Sequence, residues 1–282
     1  MILIADSGST KTDWSVIQQG KLTRSIKTKG MNPYFQSEEE IGKEISEVLL
    51  PQLGNSALEA IYFYGAGCTV DKVEVVRNVI IQHTNVTRVE VNTDLLAAAR
   101  SVCGRKAGIA CILGTGSNAC FYDGKNIVDN VSPLGFILGD EGSGAVLGKR
   151  LVGDLLKGMM GQELKDKFLK QYNLTPGDII ERVYRQPFPN RFLASLSPFL
   201  AEHIDEPKIH QLVLSSFTDF ITRNVLGYDC HNYAVSFAGS IAYHYKDILS
   251  EAAGNTGIRI GKIIQSPMEG LISYHSLQTE TV

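Results

Sequence analysis

No apolar run in this chain approaches the roughly 20 residues that span a bilayer, and no Cys-x-x-Cys occurs. The five cysteines, Cys68, Cys103, Cys111, Cys120 and Cys230, are odd in number, widely spaced and mostly in apolar settings. They read as free buried thiols of a reducing compartment, not as a disulfide framework. The six histidines have no metal-ligand spacing. Neither charge dominates: 27 basic against 30 acidic residues leave −3, so no nucleic acid and no membrane is expected as partner. The N-terminus lacks a basic region and a cleavage-site pattern, and the expected location is the cytoplasm. What remains is a chain of 282 residues, 44% hydrophobic and 20% charged. It is long enough for one or two domains with a sizeable core.

The first stretch organises the rest. Met1 to Ala5 is an apolar run that ends in a single carboxylate, Asp6, followed by the turn Ser7-Gly8-Ser9-Thr10-Lys11-Thr12. Apolar residues resume at Trp14, which reads as core, and a second turn is expected at Gln18 to Lys21. This is a hairpin whose connection offers backbone N–H groups, hydroxyls and one cation to an anion. A carboxylate beside such a nest makes sense if a divalent cation lies between the two.

Downstream, Ser37 caps a helix with apolar positions Ile41, Ile45, Val48 and Leu49, which Pro51 is expected to end. Strands are expected at Ala60–Tyr64 and Arg88–Asn92, with helices over Val73–Ile80 and Leu95–Arg100. Strands alternating with helices imply an α/β layer. Its strand ends carry Asp6–Thr12, Gly65–Gly67 and Thr93-Asp94, the places where open α/β sheets bind ligands. Asp94 precedes a helix, so an N-cap role competes with a chemical one. Near Gly104 the opening pattern begins again: strand Ile109–Leu113, turn Gly114-Thr115-Gly116-Ser117-Asn118, strand Ala119–Tyr122, tight turn Asp123-Gly124-Lys125. Matching Ser7-Gly8-Ser9 to Thr115-Gly116-Ser117 suggests two related lobes. Then come Gly139-Asp140-Glu141-Gly142-Ser143-Gly144 before a helix at Ala145–Leu156, and mainly helical residues over 157–230, with helices near 191–203 and 207–224. A strand Tyr233–Phe237 ends at Ala238-Gly239-Ser240 and leads into a helix to about Ala252. A strand near Gly257–Ile263 and a helix Pro267–Ser276 close the chain.

Common nucleotide motifs are excluded. Gly114-x-Gly116 has Ala119 where the last glycine would fall, and a strand follows where a dinucleotide fold needs a helix. Lys11-Thr12 has no glycine before the lysine and lacks P-loop spacing.

The ordered set Asp6-x-Gly8, Thr93-Asp94, Gly114-Thr115-Gly116-Ser117-Asn118, Gly139–Gly144 and Ala238-Gly239-Ser240 resembles the sugar kinase/Hsp70/actin superfamily. More narrowly, it resembles the BadF/BadG ATPase and N-acetylglucosamine kinase group. The resemblance covers nearly the whole chain. It implies an α/β fold of two ribonuclease-H-like lobes flanking an ATP and sugar cleft. The lobes would be residues 1–103, with the helix at about 267–276 packing back on them, and a larger 104–266 with a helical insertion. It also implies a sugar kinase using ATP and Mg²⁺. Asp94 would be the general base, and Asp6 would orient the metal. Gly8, Ser9, Thr10, Lys11, Thr115, Gly116 and Ser117 would hold phosphates, and Gly239 and Ser240 the adenosine. Asn32, Gly67, Asp94, Asn118, Gly135 and Asp140 would line the amino-sugar pocket. The 6-hydroxyl of N-acetylglucosamine is the expected acceptor. The animal-type kinases carry Trp where this sequence has Leu134, so glucosamine and muramic-acid-type sugars stay open, as does a homodimer. A dehydratase-activator ATPase, which needs clustered thiolates, and a non-catalytic sugar sensor are the alternative classes.

Overall fold

The protein is described from a computed structural model that covers residues 1–8, 11–54, 57–69 and 71–276. The chain opens with the meander β1 (Ile2–Ser7), β2 (Lys11–Gln18) and β3 (Lys21–Lys29). A helical rod follows: α1 (Glu38–Lys43), a π-helical stretch (Glu44–Leu49) and α2 (Leu50–Leu53). Next come β4 (Ala60–Gly65), α3 (Val73–Thr84), β5 (Val89–Thr93) and α4 (Asp94–Cys103). A second meander is built from β6 (Gly108–Leu113), β7 (Ser117–Tyr122) and β8 (Ile127–Val131). After it lie α5 (Gly135–Leu138) and α6 (Gly144–Leu156). The insertion contains α7 (Gln162–Tyr172), α8 (Pro176–Tyr184), α9 (Pro189–Ala194), α10 (Ser197–Glu202) and α11 (Pro207–Phe220), which runs into a π-helical turn (Ile221–Val225). The chain closes with β9 (Val235–Ala238), α12 (Ser240–His244), α13 (Lys246–Thr256), β10 (Ile260–Ile264) and α14 (Met268–Ser276).

Two compact units result, one of Met1–Lys106, Gly124–Asn126 and Pro267–Val282, the other of Ala107–Asp123 and Ile127–Ser266. Each has a five-stranded sheet: β3-β2-β1-β4-β5 in the first, β8-β7-β6-β9-β10 in the second. In both, the meander is antiparallel and the last two strands run parallel to the first. The repeat suggested by the two glycine turns is therefore a repeat of the whole sheet, as two ribonuclease-H-like lobes require. Its register differs from the sequence match. Ser7 pairs Thr12 and Leu113 pairs Ser117 at the hairpin mouths, so Gly8 corresponds to Gly114, not to Gly116. Both glycines close their turns in the same way, Gly8 N–H donating to the Lys11 carbonyl and Gly114 N–H to the Gly116 carbonyl, each at 2.9 Å.

In the first unit the sheet is covered on both faces. Leu3, Ala5, Ile61, Phe63, Val89 and Val91 pack with Ile41, Ile45, Leu49, Val76, Val79 and Ile80. Trp14 is fully buried there, its Nε1–H satisfied by Thr28 Oγ1 at 3.0 Å. On the other face Ile4, Tyr62 and Tyr64 meet Ala97 of α4 and Leu271 of α14. The second unit has one continuous core, from Ile109 and Cys111 to Phe217, Phe237 and Leu249.

Four helix boundaries differ from the sequence reading. Pro51 does not end its helix. Leu50 N–H bonds to the Ile45 carbonyl in the π register, and Pro51 then falls in the first turn of α2, where its missing donor is harmless. The wider π turn keeps Ile45 and Leu49 inward and leaves Val48 at the surface. The helix expected over 191–203 breaks between α9 and α10, the one over 207–224 becomes π-helical at Ile221, and the one after Gly239 breaks at Tyr245. The short α5 was not foreseen; four residues between glycines carry no periodicity.

Helix α6 tests how tightly the second unit is packed. A Cβ at Gly148 would collide with the Leu193 carbonyl of α9, whereas one at Gly153 meets nothing within 4 Å. Gly148→Ala should therefore destabilise by on the order of 1–3 kcal/mol. Gly153→Ala should stabilise by about 0.5–1 kcal/mol through helix propensity. Equilibrium denaturant unfolding of the two variants checks the opposite signs.

Candidate functional site

The parallel strands of the first unit end side by side. Asp13, Asp6, Tyr64 and Asn92 form one row across β2, β1, β4 and β5, and paired residues share a face. Asp6 is half-buried on that row. Its carboxyl is pushed up to about 7, first by burial, then by the negative charges of Asp94 and Asp13, with only Lys11 pulling it down. Asp94 opens α4 as its first residue. The N-cap is Thr93, whose Oγ1 accepts from Leu96 N–H at 3.1 Å, so Asp94 is spared the capping role. Its Oδ1 accepts from Leu95 N–H at 2.9 Å. Burial raises its pKa against the pull of backbone N–H groups.

Ser7, buried and outside the predicted site set, ties this edge together. Its carbonyl accepts from Ala66 N–H at 2.8 Å. Its Oγ accepts from Met31 N–H at 3.0 Å and lies 2.8 Å from Thr12 Oγ1. The loops carrying Asn32 and Gly67 are thereby pinned to the end of β1. Gly67 has φ +80°, and any Cβ there would collide with the Asn32 side chain. Asn32 Oδ1 accepts from Tyr34 N–H at 3.0 Å. Cys68 lies nearby, its thiol pushed up to about 12 by burial and by the Asp94 charge, which makes it an inert wall. Gly8 is exposed. Lys11 Nζ is paired with Asp13 Oδ2 at 2.7 Å. Ser9 and Thr10 lie outside the described residues. The structure thus brings Asp6, Asn32, Gly67 and Asp94 to one sheet edge, and adds Ser7, Thr12 and Asp13. The alternation of β1 and β2 was the signal for Asp13, since it sits opposite Asp6 on the hairpin.

The second unit places its predicted residues around the turn after β6. Gly144 N–H and Ala145 N–H of α6 donate to the Gly114 and Thr115 carbonyls at 2.8 and 3.1 Å, seating the positive end of a 13-residue helix on the turn. Ser143 caps that helix through Val146 N–H at 3.2 Å. Gly239, at φ +120°, lies so close to the Leu113 carbonyl that only glycine fits, and Ser240 begins α12 beside it. Gly116 faces the Asp140 carboxylate, which would lie 3.2 Å from a Cβ there, and Ser117 N–H points to Asp140 Oδ1 at 3.4 Å. Asp140 holds a left-handed φ of +51°. Burial above all pushes its carboxyl up to about 6, Glu141 adds to the rise, and Ser117 N–H and Lys149 oppose it. Gly135, at φ +74°, accepts from Gly139 N–H at 2.7 Å. Asn118 is engaged within its own sheet, Oδ1 accepting from Asn130 Nδ2 at 2.8 Å.

Among the described residues no group of three or more His, Cys, Asp or Glu could hold a metal, and no helix is long and apolar enough to cross a membrane. The residues do fit a cation carried in by an anionic ligand. Asp6 is a carboxylate whose neighbours are mostly of its own sign, and Mg²⁺ needs one or two carboxylates when phosphates and waters supply the rest.

No protein-family model matches the chain, and no curated protein does. Among solved structures it is similar to a Porphyromonas gingivalis protein named "putative N-acetylglucosamine kinase". Identity is 51%, the TM-score is 0.96, and 99% of this chain and 100% of that one are covered. A Chromobacterium violaceum protein of the same name shares 18% identity at TM-score 0.78, over 97% and 98% of the two chains. A ROK family glucokinase from Streptomyces griseus, in complex with glucose and AMPPNP, shares 16% at TM-score 0.59, with 98% of each chain covered. These last two likenesses are of fold.

The raised Asp6 pKa has a thermodynamic signature. In the unfolded chain Asp6 ionises near its ordinary 3.8, and in the folded chain only near 7. Charging it therefore favours unfolding, with no penalty below about pH 4, a growing one up to about pH 7 and a constant one above. Asp6→Asn should melt progressively higher than wild type as pH rises from 4 to 7, in thermal scans without ligand. A pH-independent difference would show that Asp6 titrates normally.

Proposed function

The chain belongs to the N-acetylglucosamine kinase family within the sugar kinase and actin-like ATPase class, and from that membership we propose that it phosphorylates an amino sugar with ATP, at the 6-hydroxyl of N-acetylglucosamine. The observation that carries this reading is the pair Asp6 and Asp94, two half-buried carboxylates at one sheet edge, with Thr93 and not Asp94 as the N-cap of α4.

Phosphoryl transfer asks the protein mainly for positioning and a proton acceptor. Asp94 Oδ1 is fixed by Leu95 N–H, and Oδ2 is the oxygen we assign to take the hydroxyl proton. Burial raises its basicity above that of an ordinary carboxylate, the direction that favours a general base. Asn32 and Gly67 in the first unit, and Asp140, Gly135 and Asn118 in the second, are the sugar-binding set, with carboxamide and carboxylate groups that suit hydroxyls. Asp140 is supported in this by its carboxyl, half-buried beside Gly116 and Ser117 and raised by that burial. Gly8, Ser9, Thr10 and Lys11, together with Thr115, Gly116 and Ser117, are the phosphate-binding set, and Gly239 with Ser240 receives the adenosine. Mg²⁺ held at Asp6 would neutralise phosphate charge.

The test is phosphosugar formation from ATP across N-acetylglucosamine, glucosamine and a muramic-acid-type sugar, with the phosphate located by NMR. N-acetylglucosamine should be the best substrate, as its 6-phosphate. Asp94→Asn should fold normally and lose about 10²- to 10⁴-fold in turnover. Near-wild-type turnover in that variant would remove Asp94 as the base.

A further inference from the structure

Helix α4 carries Asp94 at its first turn and Arg100 at its second. Arg100 is buried against the sheet. Its Nη1 donates to Tyr64 Oη and to Glu90 Oε1, both at 2.6 Å. Those acceptors lie on β4 and β5, so one side chain bolts the helix to two strands. Tyr64 shares its row with Asp6. Its hydroxyl also lies 2.8 Å from His275 Nε2 of α14, and the His275 ring stacks on Tyr62 at 3.8 Å. Tyr274 packs under the Arg100 guanidinium at 5.0 Å. Gly270 of α14 meets Ser101 of α4 so closely that a Cβ would collide. The middle of α4 is thus clamped from the sheet side and from α14.

This clamp is poorly designed for stability alone. Burial works against the charges of both Glu90 and Arg100, and their mutual attraction offsets it. Arg100 Nε is buried without a hydrogen-bond partner. An ion pair whose carboxylate is part-exposed, with an orphaned donor on its buried partner, is weak evidence for a stabilising role. What it does supply is a fixed rotation and height for α4, hence for the carboxylate at its start.

We propose that Arg100 is a positioning residue for Asp94: by tying α4 to Tyr64 and Glu90 it fixes where the Asp94 carboxylate stands. This rests on Asp94 being the base. Arg100 touches no reacting atom, and its effect passes through the helix. A displacement of about 1 Å at a reacting group costs roughly 10²-fold.

The experiment is a double-mutant cycle on kcat with Asp94→Asn, Arg100→Lys and the double variant, each also measured for KM and melting temperature. Lysine keeps a cation for Glu90 but loses the two-acceptor geometry. Arg100→Lys should lower kcat about 10- to 100-fold with KM for sugar and ATP nearly unchanged. In the Asp94→Asn background it should lower kcat no further, because its target is gone. A wild-type kcat in Arg100→Lys beside an inactive Asp94→Asn overturns the positioning role alone. So does an equal loss in both backgrounds, which is the mark of a general structural role. Wild-type turnover in Asp94→Asn overturns the base and this role together. If Arg100→Lys does not fold, Tyr64→Phe, which leaves the Arg100–Glu90 pair in place, is read by the same outcomes.

Discussion

Like charges held at one sheet edge are the constraint on which the first unit depends. Asp13, Asp6 and the Asp94 at the head of α4 stand close enough to raise Asp6, and opposed like charges in a sheet are destabilising. The surrounding structure holds them by other means. Ser7 fastens two loops to the end of β1 with backbone hydrogen bonds. Thr93 caps α4 so that Asp94 need not. Large apolar side chains bury both faces behind the edge. Under the proposed function a cation bound at this edge would relieve repulsion that the fold already contains.

The two units share a sheet plan but not a chemistry. By hairpin register Asp6 corresponds to Ile112, and Gly8 to Gly114. The carboxylate at the end of the first strand exists once. In the second unit its absence is matched by a different arrangement, in which α6 docks on the turn through Gly144 and Ala145 and brings the Asp140 segment alongside. Fold repeats and function does not, as expected when function resides in side chains placed on a common frame.

Much of this was legible in the sequence because the signals are local. Alternating and helical periods marked the strands and the major helices, the N-cap at Ser37 is present as read, with Glu40 completing a capping box, and the glycine turns marked the strand ends. What escaped depended on partners distant in the chain. Ser7 looks like an ordinary turn hydroxyl until Met31 and Ala66 reach it, as does Thr12 until Ser7 and the Lys29 carbonyl engage it. The proline at 51 reads as a stop unless the helix can shift into a π register one residue earlier. Thr93 and Asp94 are both good caps, and only the fold chooses between them. Tyr64 lies 36 residues from Arg100 and 211 from His275, and nothing in their local sequence links them.

Positive-φ residues mark the turns and caps of both units, and two of them flank the Gly139 loop. Among the described residues, six that are not glycine adopt positive φ. Asn85 and Asn173 do so as C-caps of α3 and α7, and Gln19 does so in the β2–β3 turn. Asparagine tolerates that conformation well, and a hairpin turn demands it. Phe188 is held between two prolines at the start of α9. Leu134 has no such excuse, being a bulky residue outside any cap or hairpin turn. Asp140, six residues on, is of a type that tolerates the left-handed region, and its N–H bonded to the Pro133 carbonyl and its carbonyl to Ser143 N–H hold it there. A Cβ at Gly139 would collide with the Pro133 carbonyl, so the close approach of the loop there needs glycine. The loop held in this way sets the half-buried Asp140 carboxylate beside Gly116 and Ser117.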